Sequence, residues 1–159
     1  MSAPPMHPPP PGYPVPAPRP PTGTASWALG FLAYVPIPFL GQIAAGVVMA
    51  ALYPAQRRKS PVAAANGRRA ANWGLTYVLL TVLAVGLTVP LGMYSNTLPT
   101  VEDRQAFLPV ALLPLGVWAF GVNVLHVVLV IIGTVQAARG RVFRNVVQIP
   151  FLRRRPEEG

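Results

Sequence analysis

The chain has 159 residues, of which 52% are hydrophobic and 11% charged, with a formal net charge of +9. Soluble domains carry about 25% charged residues, so most of this chain does not face water, and an ordinary soluble domain is excluded. There are no cysteines, which excludes disulfides, thiolate metal sites, thiol redox chemistry and a lipoprotein anchor.

The few charges are unevenly placed. No Asp, Glu, Lys or Arg occurs in Thr22–Gln56, Ala70–Val101 or Gln105–Ala138. Each run exceeds the roughly 20 apolar residues that cross a bilayer core. They predict an all-α integral membrane protein: a small helical bundle with a Pro-broken first segment, two full spans and a disordered Pro-rich N-terminal tail. The expected organisation is tail 1–24, transmembrane domain 25–140 and basic juxtamembrane tail 141–159.

Met1–Thr24 holds eleven of the 21 prolines. It has too few donors for helix or sheet and too little apolar area to pack, so coil and polyproline II are expected. Without a basic n-region and an apolar h-region it is not expected to be a cleaved signal. Its PxxP spacing, Pro8 to Pro11 and Pro11 to Pro14 with Tyr13 and Arg19 nearby, suits either a partner's aromatic groove or a flexible spacer.

The first apolar segment runs Trp27–Tyr53. Pro36 and Pro38 remove donors and turn their predecessors away from helix, predicting a short helix Trp27–Val35, a turn, and a helix Phe39–Tyr53 stopped by Pro54. Gly46 is a candidate helix-contact residue, since small side chains let helices approach. The loop that follows carries Arg57, Arg58, Lys59, Arg68 and Arg69 and no acid. The second helix is expected over 70–93 and the third over 115–138, after Pro109 and Pro114. Between them, Glu102, Asp103 and Arg104 make a nearly neutral loop. Arg139, Arg141, Arg144, Arg153, Arg154 and Arg155 close the chain.

Eleven of the 13 Lys and Arg residues thus fall in two blocks at the ends of apolar runs. That is the positive-inside pattern, which places both blocks in the cytoplasm against anionic lipid headgroups. Nucleic-acid domains instead spread basic residues over a folded face among stacking aromatics, so nucleic acid is not an expected partner. The side of the N-terminus stays open: a straight first helix puts it outside, a hairpin broken at the prolines returns it. In the tail, Val142, Phe143, Val146, Val147 and Ile149 stand at roughly helical spacing between arginines, which predicts an interfacial segment.

Two stretches, RRKSPVAAANGRRAANWGLTYVLL (Arg57–Leu80) and IIGTVQAARGRVFRNVVQIPFLR (Ile131–Arg153), resemble a widespread bacterial family of small membrane proteins of unknown function. That family is itself distantly similar to the twenty-kilodalton subunit of the chloroplast inner-envelope protein import machinery. The likeness rests on Ser60-Pro61, Ala70-Ala71, Asn72-Trp73, Ala137-Ala138-Arg139-Gly140 and Phe143-Arg144, and covers about Trp27–Arg153. Asn66 and Arg69 stand where members often have His and Glu, and Val146 where they often have Pro. The resemblance brings no catalytic residues, and by analogy it implies protein translocation as a theme.

The chain has four acids, Glu102, Asp103, Glu157 and Glu158, and two histidines, His7 and His126. These supply no acid–base pair across a substrate, no metal cluster and no phosphate cradle, so no cofactor, metal or catalytic residue is expected. The candidate intramembrane residues are Gln42, Asn72, Asn123 and His126. Asn123 and His126 share a helix face, where Asn72, Gln42 or Thr134 would meet them. Such a patch either binds a ligand or relays a proton, or simply joins helices at about 0.6 kcal/mol per bond. The expected function is a non-enzymatic scaffold or accessory subunit of the bacterial cell membrane that binds other membrane proteins or itself. The alternative is a small oligomeric channel or transporter.

Overall fold

The computed structural model describes residues 19–37 and 39–153. The expected disordered tail (its first 18 residues), Pro38, Arg154 and Arg155 lie outside that range. The described residues contain helices and no strand. In order these are α1 (Thr24–Ala28) continued by a 3-10 turn (Leu29–Tyr34), α2 (Leu40–Ala51), α3 (Tyr53–Gln56), α4 (Pro61–Ser95), α5 (Val101–Gly116), a wide π turn (Val117–Val122) and α6 (Asn123–Ala138).

Two continuous helices are long and apolar enough to cross a membrane, Pro61–Ser95 and Val101–Ala138. The protein is therefore an all-α membrane bundle with two candidate spans. At 1.5 Å per residue the 35 residues of α4 measure about 52 Å. Its first turns, through Arg69, carry charge, and the remainder, about 39 Å long, fits a tilted crossing.

Three boundaries differ from expectation. α4 begins at Pro61 rather than at 70, because Ser60 caps it: its Oγ accepts the Ala63 amide at 3.0 Å, and Pro61 sits in the first turn where no donor is needed. The third helix begins at Val101, not 115, and passes through Pro109 and Pro114. An apolar setting offers no water to an opened turn, so the helix tolerates the lost donors, and the π turn follows Pro114 directly. Pro54 does not end a helix either; it lies in the first turn of α3.

The first segment enters and returns. Ser60 Oγ donates to the Pro21 carbonyl at 2.6 Å and Asn66 Nδ2 to the Thr22 carbonyl at 2.9 Å, which fixes residues 21 and 22 at the start of α4. At the other end, Tyr34 donates its hydroxyl to the Asn123 carbonyl at 3.3 Å. The chain then reverses at Val35–Phe39, with Phe39 at a φ of 60° and its ring 5.6 Å from Trp118, and α2 runs back. Residue 21, the basic loop and the C-terminal segment therefore share one face of the bundle, called here the inner face.

On that side the packing is close. α2 crosses α4 at Gly46 and Gly74, where a methyl on either would stand 2.5–2.6 Å from the other's carbonyl oxygen. Trp27 is fully buried in a cluster with Met49, Ala70, Trp73, Leu129 and Ala137. It lies against Gly133 of α6, so that α1 stands between α4 and α6. Beyond the reversal, among the described residues, α4 pairs with α5 through the Tyr94–Phe107 edge contact, while Trp118 of the π turn donates its Nε1 proton to Thr81 Oγ1 at 3.0 Å.

Candidate functional site

Polar side chains inside the bundle gather about 20–25 Å along α4 from Ser60. His126 of α6 is fully buried. The Trp73 indole N–H donates to His126 Nδ1 at 3.1 Å, and His126 Nε2 lies 3.0 Å from the Gly30 carbonyl oxygen. An indole N–H can only donate and a carbonyl can only accept. The imidazole is therefore neutral with its proton on Nε2, and neither nitrogen has a lone pair left for a second proton. Tyr77 stacks on the ring at 3.9 Å between centroids and donates its hydroxyl to Asn123 Oδ1.

The expected neighbours do not meet this group. Asn72 faces the C-terminal segment, where Nδ2 donates to the Leu152 carbonyl and Oδ1 accepts the Leu152 amide at 2.7 Å. Gln42 lines a shallow open hollow at the reversal, beside Tyr34 and Pro36, and its Oε1 has no partner. Thr134 Oγ1 is also unpartnered. Trp73, Tyr77 and Tyr34 take their places. The i, i+4 pair Trp73–Tyr77 was the available sequence signal, since such a pair shares a helix face.

The second polar system holds the chain end. Asn66, fully buried, donates to the Arg141 carbonyl at 3.0 Å as well as to Thr22, and accepts the Phe143 amide at 3.1 Å. Arg69 Nη1 donates to the Phe143 carbonyl at 3.2 Å, and Thr76 Oγ1 accepts the Ile149 amide at 2.9 Å. Residues 141–153 are accordingly extended and bent rather than an interfacial helix. Side chains spaced along one face of α4 bind their backbone, and Gly140 at φ 72° and Pro150 break helical continuity. Phe143 completes the contact by meeting the Trp27 ring edge-on at 5.3 Å.

The inner face is basic. Arg57, Arg58, Lys59, Arg68, Arg69, Arg139, Arg141, Arg144 and Arg153 all lie in segments anchored there. Burial, with Arg68 and Arg144 beside it, pulls the Arg69 guanidinium below the ordinary arginine value. The described acids are at the other end, where Thr100 caps α5 by accepting the Asp103 amide at 3.0 Å and Glu102 and Asp103 occupy the first turn. That is a helix-capping role. Among the described residues no cluster of His, Cys, Asp or Glu is arranged to hold a metal ion.

A family model for magnetosome magnetite crystal formation proteins matches residues 22–152. The chain belongs to that family. The match spans the re-entrant segment, both long helices and the returning C-terminal loop. It places the chain among small bacterial membrane proteins and carries no link to the chloroplast import subunit. The family is not a known enzyme family. No curated protein matches the chain, and no solved structure does.

Proposed function

We propose that this chain is a non-enzymatic, multi-pass scaffold or accessory subunit that binds other membrane proteins, working in the magnetite crystal formation for which its family is described. One observation carries the reading. The polar side chains around His126 are taken up by one another and by backbone, Trp73 with His126, His126 with the Gly30 carbonyl and Tyr77 with Asn123. The bonded atoms of this group are therefore not available to an ion or solute. Magnetite crystal formation, not protein translocation, is the theme the family lends.

The basic inner face is cytoplasmic in this reading, with anionic lipid headgroups on its arginines and the loop at Glu102 on the far side. The N-terminal tail then starts in the cytoplasm, where its prolines are available to a partner.

Full-length protein in liposomes should carry no ion or solute flux, and in-cell crosslinking with mass spectrometry should recover other membrane proteins. Flux through the purified protein alone would instead make it a channel or transporter. The chain has no cysteine, so Val62→Cys and Glu102→Cys report sidedness through an impermeant thiol reagent. In membrane vesicles with the cytoplasmic side outward, labelling of position 62 but not 102 is expected; the reverse overturns the orientation.

A further inference from the structure

The two ends of this bundle differ in width. At the outer end α4 and α5 pack directly on each other, with Tyr94 edge-on to Phe107. Toward the inner face α4 and α6 separate, and Trp27 on α1 fills the gap between them, with α2 crossing α4 alongside. The C-terminal loop adds to the same level, bound along α4 from Asn66 to Thr76. Its attachment at Thr76 lies about 9 Å past Ala70, where the charge-free run begins. The reversal of the first segment goes deeper: beyond Tyr34, Phe39 packs on Trp118, which bonds Thr81, about 16 Å along α4 from Ala70. With a tilted α4 crossing a hydrocarbon core about 30 Å thick, both insertions therefore lie in the half toward the basic face. The loop also turns apolar side chains outward at that depth: Val146 is 91% exposed, and Val147, Ile149 and Phe151 are exposed beside it.

We infer that the protein is a membrane wedge, whose partner is a strongly curved bilayer with its convex leaflet on the basic face. Two more helical rods, each about 10 Å across, and a loop expand that leaflet and leave the other at the width of a two-helix hairpin. Arg141, Arg144 and Arg153 flank the inserted loop and hold it at the headgroup level. With the basic face cytoplasmic, the convex leaflet is the outer one of an intracellular vesicle.

The test needs no partner protein, so it fails or succeeds separately from the scaffold reading. Full-length protein with a dye at its N-terminus is reconstituted into phosphatidylglycerol–phosphatidylcholine vesicles of about 30 nm and about 400 nm, a size range over which curvature-sensitive insertion responds. An impermeant quencher separates copies with the basic face outward from those inward. The density of outward copies should rise several-fold in the small vesicles, and that of inward copies should fall. The same trend should persist in phosphatidylcholine alone, since shape rather than charge produces it. Equal density at both sizes, enrichment indifferent to orientation, or enrichment that vanishes in the neutral lipid would each overturn the proposal.

Discussion

The inner and outer halves of this bundle both draw on long charge-free runs and are packed differently. In the inner half the glycines inside helices are contact points: Gly46 meets Gly74, Gly30 meets Val130, and Gly133 meets the Trp27 ring. In the outer half Gly86, Gly92, Gly116 and Gly121 have nothing near them. Large side chains follow suit. Trp27, Trp73, Tyr77 and Met49 are fully buried at the inner end, whereas Phe120 is 82% and Met93 67% exposed. In a membrane, apolar exposure carries no hydrophobic penalty, so helix contact needs close van der Waals packing or hydrogen bonds. The inner half has both across several elements, and the outer half rests on the pairing of α4 with α5, where Ala84 and Ala111 are buried, with the Trp118–Thr81 bond and the Tyr94–Phe107 contact.

The largest expected contrast lies between two glycines of the same helix. Gly74→Leu drives a side chain into the α2 backbone and should destabilise the fold by about 3 kcal/mol or more. Gly86→Leu meets open space and should be neutral or stabilising by up to about 1 kcal/mol, since glycine weakens a helix interior. Unfolding of the purified protein in detergent measures both, and similar effects would dissolve the distinction between halves.

Asn66→Ala comes next. It strips the Thr22 and Arg141 carbonyls and the Phe143 amide of their shared partner, at about 1–3 kcal/mol. Hydrogen exchange should then quicken through 139–153 and around Thr22 while α5 keeps its protection. Uniform loss of protection would mean the two halves unfold as one unit.

His126→Leu leaves the Trp73 N–H and the Gly30 carbonyl unpaired, a loss of about 1–2 kcal/mol, near the upper end for bonds in a membrane interior. This exceeds the 0.6 kcal/mol average because two bonds go and the ring stacks on Tyr77. Since neither nitrogen is free, the variant should insert correctly and complement a deletion strain. A stable variant that cannot complement would show that the imidazole serves function.

The smallest effect should be that of Phe120→Ala, within about 0.5 kcal/mol, as for exposed positions generally. A clearly larger loss would reveal that this ring has a protein neighbour, and that the outer hairpin is covered by a second molecule.

The charge-free runs and the two basic blocks were sufficient to give the membrane class, the all-α architecture and the two long helices. Those properties follow from solvent: a charge-free run needs lipid around it, and its backbone must close its own hydrogen bonds. Pro36, Gly46, Asn123 and His126 were also visible as unusual residues for such runs. Their partners were not. Whether His126 meets Asn72 or Trp73, whether residue 21 lies beside Ser60, and whether residues 141–153 form a helix or an extended loop depend on contacts between positions 39 to 96 residues apart. Helical periodicity is silent about such distances, because it says which residues share a face and not what that face meets. Only the tertiary fold decided that the first segment turns back, and hence that the bundle is wide at its basic end and narrow at the other.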